Sequence, residues 1–213
     1  MSLYDRYILP SLLDWACGLA AISQQRDRVV PLARGDVLEV GIGTGRNIAH
    51  YDAEVIHKVW GLDPATDMQP RLRRRLRHAR FSVELLPLSA ETIPTADARF
   101  DTVLVTYSLC SIVDPVAALR EMKRVLKPGG RLLFCEHGLA PEAAVARWQT
   151  RLTPAWRRIA GHCSLDRDIP SLLTRAGFEL IELQQGYIRG PRVVSYNYWG
   201  SAAHPATAEA LIK

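Results

Sequence analysis

The chain has 213 residues, a length typical of one compact domain with room for a small lid but not for a second full domain. Its hydrophobic content of 48%, charged content of 23%, 14 glycines and 13 prolines are near the averages of soluble globular domains, which excludes collagen-like, coiled-coil and disordered chains. The net charge of +5 is carried mostly by arginine and permits an anionic partner without demanding one.

The cysteine pattern and the apolar runs indicate the cellular compartment. The four cysteines show neither CxxC pairs nor regular spacing, and no secretory signal precedes them. The apolar runs are shorter than the roughly 20 residues that a membrane-spanning helix needs. We therefore expect a cytoplasmic protein with reduced thiols. The cysteines are Cys17, Cys110, Cys135 and Cys163.

Strand and helix patterns alternate along the chain. Residues 1–34 carry leucines at helical spacing and are predicted to form an N-terminal helical segment that packs across the fold. Because parallel strands need crossover connections, the alternation that follows predicts a doubly wound α/β fold in a single domain over residues 1–213. The predicted strands are residues 37–40, 55–63, 81–86, 101–107 and 131–136. One helix is predicted to start near residue 45, and two more are predicted at residues 65–79 and 115–126.

The end of the chain departs from this alternation. Residues 178–183 and 193–199 have strand patterns and are joined through Gly186 and Gly190 with no helix between them. Two consecutive strands favour a hairpin, so we expect an antiparallel edge on an otherwise parallel sheet.

A glycine-rich turn follows the first strand. Glu39 precedes Gly41, Gly43 and Gly45, and glycine lets the backbone turn sharply and approach a ligand closely. The start of a helix beyond the turn offers free amides to a ligand. Arg46 stands where the dinucleotide-binding fingerprint requires a glycine or alanine, and no Gly-Lys-Ser/Thr triplet follows for a Walker loop. The turn therefore predicts a ligand site that fits neither of these two motifs.

Asp63 ends the second strand, at about the spacing from the glycine turn where the dinucleotide fold places an acid. A carboxylate at this point accepts hydrogen bonds from the two hydroxyls of a ribose, which favours an adenosine-containing ligand. The alternative is that Asp63 only caps the next helix, with Pro64 in the first turn.

Four motifs in order resemble the class I S-adenosylmethionine-dependent methyltransferases, over about residues 36–200. The resemblance implies an enzyme with a Rossmann-like, doubly wound, seven-stranded sheet whose seventh strand is antiparallel at the edge. It also implies S-adenosylmethionine as methyl donor and S-adenosylhomocysteine as product. The motifs are LEVGIGTG at residues 38–45, GLDP at 61–64, AE at 90–91 with FD at 100–101, and LKPGG at 126–130.

The resemblance also assigns cofactor contacts. In the family, the glycine turn holds the methionine part, the acid after the second strand holds the ribose, and the residues after the third strand meet the adenine. The end of the fourth strand faces the sulfonium and the acceptor. The matching positions are Glu39, Gly41, Ile42, Gly43, Gly45, Asn47, Asp63, Pro64, Met68, Ala90, Glu91, Thr106, Tyr107 and Leu109.

Within the family, the chain resembles a small-molecule branch that includes thiol S-methyltransferases, bacterial phosphatidylethanolamine N-methyltransferases and quinone methyltransferases. The resemblance to the thiol enzymes is carried by residues 105–111, 134–137 and 160–168. It implies a small, fairly apolar acceptor. A thiol is the first candidate, and a phospholipid amine or a quinone phenol is the alternative. The Asn-Pro-Pro-Tyr-type motif of nucleic-acid methyltransferases does not follow the fourth strand, so we expect no nucleic-acid partner.

Residues 138–168 lie where the family often places a substrate cap. The tryptophans in this segment recur at helical spacing, which predicts an amphipathic segment bent at Pro154. Plain packing of these aromatic side chains in the core is the alternative. The predicted substrate-binding residues are Tyr4, Tyr7, Trp148, Trp156 and Cys163.

His137 follows the fifth strand at the carboxyl edge of the sheet and is the first candidate for a catalytic base. Such a base would favour the thiolate form of an acceptor thiol, whose ordinary pKa is near 8.5. His162 and Asp166 in the cap are the second candidates. A lone histidine at a strand end is more often structural. We predict no metal site, because His137 and its neighbour Glu136 point to opposite faces of a strand.

Methyl transfer needs no protein nucleophile, so we interpret Cys110 and Cys163 as small buried side chains. An arginine-rich stretch, residues 71–80, is typical of the solvated face of a helix, with Leu72 and Leu76 facing inward. The same stretch leaves open a peripheral contact with an anionic membrane. A module that binds S-adenosylmethionine without catalysis and a nicotinamide oxidoreductase are the other open alternatives.

Overall fold

The computed structural model describes residue 4, residues 8–64 and residues 69–204. Two short 3₁₀ turns, Val30–Leu32 and Arg46–Ala49, accompany the regular elements. The helices are α1 (Leu9–Cys17), α2 (Ala20–Val29), α3 (Gln69–Leu76), α4 (Pro115–Val125), α5 (Ala143–Ile159), α6 (Ile169–Arg175) and α7 (Arg192–Ser195). The strands are β1 (Gly35–Val40), β2 (Ile56–Leu62), β3 (Ser82–Leu86), β4 (Phe100–Thr106), β5 (Leu126–His137), β6 (Glu179–Tyr187) and β7 (Tyr196–Ala203).

The seven strands form one sheet in the order β3-β2-β1-β4-β5-β7-β6. Neighbouring strands from β3 to β5 are parallel, whereas β7 runs antiparallel to both β5 and β6. The doubly wound α/β fold and the antiparallel hairpin are therefore confirmed. The antiparallel strand β7 lies one position in from the edge, which is formed by β6.

Alternation along the strands builds an apolar layer on each face of the sheet. Leu38 and Val103 pack on one face with residues of α4 and α6, while Val37 and Leu104 pack on the other with Val29 of α2. Because successive side chains in a strand point to opposite faces, both layers form from the same short apolar runs. The carboxyl ends of β1, β2, β4 and β5 are left at one edge for the site.

Several elements differ from the sequence prediction. The N-terminal segment forms two helices that meet at Gly18 and Leu19, and the helix expected from residue 45 is a single 3₁₀ turn. This turn is short because Asn47 points inward to bond Glu39 and Thr106. The hairpin strands occur later than predicted, because residues 192–195 form a helical turn before β7.

The predicted cap contains the long helix α5. It continues through Pro154 to Ile159, so the segment is one helix of 17 residues. Among the described residues, no helix combines the length and the apolar character needed to cross a membrane.

Candidate functional site

A cavity of about 780 Å³ opens at the carboxyl edge of the sheet. Its floor is the glycine turn after β1, one wall is formed by α1 and the start of α2, and the far wall comes from the end of α5 and the loop after it. The mixture of a polar floor and apolar walls is typical of a small-molecule site.

The glycine turn is shaped for close approach. Gly41 and Gly43 have φ values of 77° and 51°, a left-handed conformation that favours glycine. A Cβ atom at Gly41 would collide with the side chain of Ser108. The backbone N–H of Gly43 donates a hydrogen bond of 2.8 Å to the Asp63 carboxylate, so the turn and the acid after β2 form one unit.

Glu39 is the buried acid beneath this turn, with an exposed fraction of 1%. Its carboxylate accepts hydrogen bonds from the Tyr51 hydroxyl at 2.7 Å and from the Asn47 amide at 3.0 Å. Burial raises the pKa of Glu39 to about 7, against the lowering effect of these two donors and of Arg26. The site therefore holds an acid that changes charge near neutral pH.

Arg26 of α2 is a buried cation that the sequence reasoning missed. Its Nε donates to the Asn47 side chain at 2.9 Å, and one terminal nitrogen donates to the Cys17 carbonyl at 2.8 Å. The guanidinium lies 5.1 Å from the ring centroid of Tyr107. No local pattern marks Arg26, because its partners come from distant parts of the chain.

Asp14 connects α1 to the floor of the cavity. Its carboxylate accepts hydrogen bonds from Thr44 at 2.6 Å, from Arg46 at 2.9 Å and from Arg75 at 3.0 Å. Burial alone raises the pKa of Asp14, but the bonds from Arg75, Arg46 and Thr44 outweigh it and hold this pKa well below the ordinary range. Arg71 also lies near this carboxylate, so part of the arginine-rich face binds α1.

The turn after β4 is held by a second buried acid. Tyr107 has a φ of 53°, and the following backbone N–H groups of Ser108 and Leu109 donate to one oxygen of Glu136 at 2.8 and 3.1 Å. Burial raises the pKa of Glu136 to about 8. This contact fixes the loop that presents Cys110 to the cavity.

Three side chains meet in the far wall of the cavity. The Sγ atoms of Cys110 and Cys163 and a ring nitrogen of His137 all lie within 4.8 Å of one another. The Nε2 atom of His137 is 3.1 Å from the Sγ of Cys163. A hydrogen bond from Cys163, together with the nearby His137, holds the pKa of the Cys110 thiol well below its ordinary value. We call these three residues the Cys-His-Cys cluster.

The cluster was not foreseen from the sequence. The prediction of no metal site considered only His137 and its strand neighbour Glu136. The two thiols of the cluster come from the loops after β4 and after α5. The interpretation of Cys110 and Cys163 as small buried side chains is incomplete, because both line the cavity. Their separation of about fifty residues gives no motif, and only the fold brings them together.

Most of the predicted cofactor positions line the cavity. Gly45 and Leu109 do not: Gly45 packs against Leu72, and Leu109 is fully buried in the core. Met68 lies outside the described residues. The positions in the lining are Glu39, Gly41, Ile42, Gly43, Asn47, Asp63, Pro64, Ala90, Glu91, Thr106 and Tyr107.

Some of the predicted catalytic and substrate-binding residues line the cavity, and others do not. His137, His162, Trp156 and Cys163 line the cavity. Asp166 does not, since the preceding Leu165 takes the inward position. Trp148 is 55% exposed and lies outside the lining. The Tyr4 hydroxyl donates to the Ile159 carbonyl at 2.5 Å instead of reaching the cavity, and Tyr7 lies outside the described residues.

Comparisons with known proteins agree on one family. A family model described as a methyltransferase domain matches residues 38–134. The thiol S-methyltransferase TMT1B of Rattus norvegicus is 34% identical over 70% of this chain and 62% of its own length. The thiol S-methyltransferase TMT1A of Homo sapiens is 34% identical over 76% of this chain and 66% of its own length. The chain thus spans slightly less than two thirds of these relatives.

A solved structure supports the fold. The N-methyltransferase NodS from Bradyrhizobium japonicum WM9, in complex with S-adenosylhomocysteine, matches with a TM-score of 0.66 at 18% sequence identity. The match covers 90% of this chain and 91% of NodS. At this identity the likeness shows a shared architecture.

Proposed function

Because the chain belongs to the class I S-adenosylmethionine-dependent methyltransferases, we propose that it transfers the methyl group of S-adenosylmethionine to a small thiol. The single observation that carries this proposal is the cavity itself. One end has the glycine turn and the acid expected for the cofactor, and the other end has the Cys-His-Cys cluster.

The residues at the first end fit S-adenosylmethionine. The absence of a Cβ at Gly41 lets the turn pack directly against Ser108, and Asp63 stands beside the turn to accept bonds from the ribose hydroxyls. The methionine part carries an ammonium and a carboxylate, and the buried pair Glu39 and Arg26 offers the two opposite charges. Ala90 and Glu91 line the side where the adenine is expected.

The bound cofactor supplies an electrophilic methyl group on a positively charged sulfur. Its transfer is an in-line displacement, so the protein has mainly to align the acceptor with the methyl group and to exclude water. Helix α1 closes one side of the cavity through Asp14, and the end of α5 closes the other with Trp156. Cys110 and His137 line the same end of the cavity as Trp156, where an acceptor sulfur would be held.

The thiol acceptor is supported by two independent features. The curated relatives at 34% identity are thiol S-methyltransferases. The cavity wall carries soft sulfur and imidazole groups beside partly buried Trp156, an environment suited to an apolar thiol. A phospholipid amine or a quinone phenol remains the competing acceptor class.

Product analysis tests this proposal directly. The purified protein is incubated with S-adenosylmethionine and either a panel of alkyl and aryl thiols or phosphatidylethanolamine vesicles, and products are identified by mass spectrometry. We expect methyl thioethers from the thiols, and their loss in Asp63→Ala. Methylated lipid without thioether would contradict the thiol assignment, and so would the absence of both products, which would leave a cofactor-binding fold whose acceptor is to be sought among quinones and other phenols.

A further inference from the structure

The Cys-His-Cys cluster has the composition of a metal site. Its members belong to three separate parts of the fold: the loop after β4, the end of β5 and the loop after α5. Each offers one ligand atom, and the three atoms lie within 4.8 Å of one another. The first contact, 3.1 Å between His137 Nε2 and Cys163 Sγ, already places two of them within the spacing of ligands around a shared ion.

The charge balance of the cluster favours a divalent cation. Two thiolates and one neutral imidazole neutralise a charge of +2, so the metal-loaded site carries no net charge before the acceptor binds. Sulfur and imidazole ligands select thiophilic ions such as Zn²⁺ over Mg²⁺ or Ca²⁺. Three protein ligands with an open fourth position are typical of catalytic zinc sites, whereas structural sites have four.

The surroundings leave room for a fourth ligand on the cavity side. All three members line the cavity, so the open position faces the space that the proposed acceptor occupies. Beside them, the indole N–H of Trp156 is buried and lies near enough to Cys163 to lower the pKa of its thiol. Donors of this kind commonly bond the sulfur ligands of metal centres.

We propose that Cys110, His137 and Cys163 bind one thiophilic divalent metal ion, and that the sulfur of the acceptor thiol binds as its fourth ligand. The second half of this statement rests on the proposed function, and the first half does not. In the reaction, the acceptor thiol loses its proton to solvent and its sulfur binds the ion as a thiolate. The thiolate then forms a bond to the methyl carbon while the carbon–sulfonium bond breaks, which gives a methyl thioether and neutral S-adenosylhomocysteine. His137 is then a metal ligand and not a general base.

Metal titration tests the first half without any activity measurement. The protein is fully reduced, freed of metal with a chelator, and titrated with Cd²⁺ while thiolate-to-metal charge-transfer absorption is recorded. We expect one bound ion per chain, and a loss of affinity of about 100-fold or more in Cys110→Ser and Cys163→Ser, since loss of outer-shell partners alone costs 10–100-fold. Cys17→Ser is the matched control, because Cys17 also lines the cavity but lies outside the cluster.

Equal Cd²⁺ affinity in Cys110→Ser and the unmodified protein, or no stoichiometric binding at all, would overturn the metal site. To check that each variant is folded, we measure whether S-adenosylhomocysteine raises its Tm. His137→Gln is a third variant, which removes one proposed ligand and leaves all four thiols in place.

The fourth ligand is tested by adding an aryl thiol, or the phenol of the same shape, to the Cd²⁺-loaded protein. We expect the thiol alone to change the charge-transfer spectrum, and an unchanged spectrum with both compounds would overturn acceptor ligation. Thioether formation by metal-free protein would overturn acceptor ligation and leave the proposed function intact. Metal binding without any methylated product would overturn the proposed function, and acceptor ligation with it, and leave the metal site intact.

Discussion

At the scale of single residues, the site depends on buried charges that are satisfied by groups distant in sequence. Glu39 and Arg26 share Asn47 as a common partner, although they belong to β1 and α2. An ionised group in the protein interior is stable only when it is paired or hydrogen-bonded. The network therefore holds the Arg26 guanidinium and the Glu39 carboxyl together at the cofactor end of the cavity.

The titration of Glu39 predicts a pH-dependent cofactor affinity. With a pKa raised from 4.5 to about 7, the carboxyl of the free protein holds its proton at pH 6. Tyr51, Asn47 and Arg26 favour its ionised form, and Asp63 opposes it. An ammonium group pairs only with the ionised form, so binding releases a proton and the affinity rises up to tenfold per pH unit until about pH 7.

Calorimetric titration with S-adenosylhomocysteine at pH 6, in two buffers with different ionisation enthalpies, measures this proton release directly. Glu39→Gln is the control, which binds more weakly and without proton release. If the affinity of the unmodified protein for S-adenosylhomocysteine does not change between pH 5.5 and 7, Glu39 is not the partner of the ammonium group. In the free protein the same raised pKa lowers folding stability as pH rises from 4.5 to about 7, because the unfolded chain ionises first.

The residues that the sequence indicated and those it missed differ in one physical respect. Gly41, Gly43 and Asp63 act within a local turn or at a strand end, so their roles follow from spacing along the chain. Arg26 and Cys110 act through partners that only tertiary packing brings near. No local pattern reports such contacts, and both residues were passed over as cofactor or acceptor contacts.

At the scale of elements, α1 acts as a side wall of the cavity, and the Asp14 carboxylate connects it to the cavity floor. Asp14 bonds Thr44 and Arg46 of the glycine-turn region and Arg75 of α3. The position of α1 therefore depends in part on this polar connection, and its Trp15 side chain is 65% exposed.

Replacing Asp14 tests this connection. We expect Asp14→Ala to lower the free energy of unfolding by about 2 kcal/mol, because three donors lose a charged acceptor. This corresponds to a fall in Tm of about 4–8 °C for a chain of this size. It should also reduce the rise in Tm that S-adenosylhomocysteine produces, since α1 lines the cavity. Thermal unfolding at pH 7 with and without the ligand measures both effects.

Asp97→Ala is the matched control, because Asp97 also pairs with an arginine but its side chain is 76% exposed. An exposed pair of this kind contributes about 1 kcal/mol or less. Equal melting temperatures for the two variants would show that Asp14 does not fasten α1. Because its pKa is depressed, the contribution of Asp14 is present above pH 4 and is lost as the pH falls below this range.

The elements themselves were predictable where a short apolar run is continuously buried. The central strands β1 and β4 are buried on both faces, and their apolar runs were recognised with small errors at the ends. The short 3₁₀ turn after the glycines was predicted as a longer helix, since propensity does not report that Asn47 is drawn inward. Similarly, Pro154 predicted a bend, but the helix pattern of α5 continues through it.

At the scale of the whole molecule, the strand order determines what the site contains. The central position of β1 and β4 places the glycine turn beside the Cys110 loop, and β5 adds His137 at the same edge. The order of strands could be predicted only through the family resemblance, because composition and periodicity do not specify which strands pair. The Cys-His-Cys cluster is a product of this order and of the loop after α5.

The preference for a thiol acceptor that we propose for this cavity can be measured by competition. An aryl thiol and the phenol of the same shape compete in one reaction mixture, with S-adenosylmethionine limiting and both methylated products quantified by mass spectrometry. We expect the methyl thioether to dominate, with a ratio of kcat/KM values of at least about tenfold, which corresponds to about 1.4 kcal/mol of transition-state free energy. Equal labelling of both acceptors, or an excess of the aryl methyl ether, would contradict it.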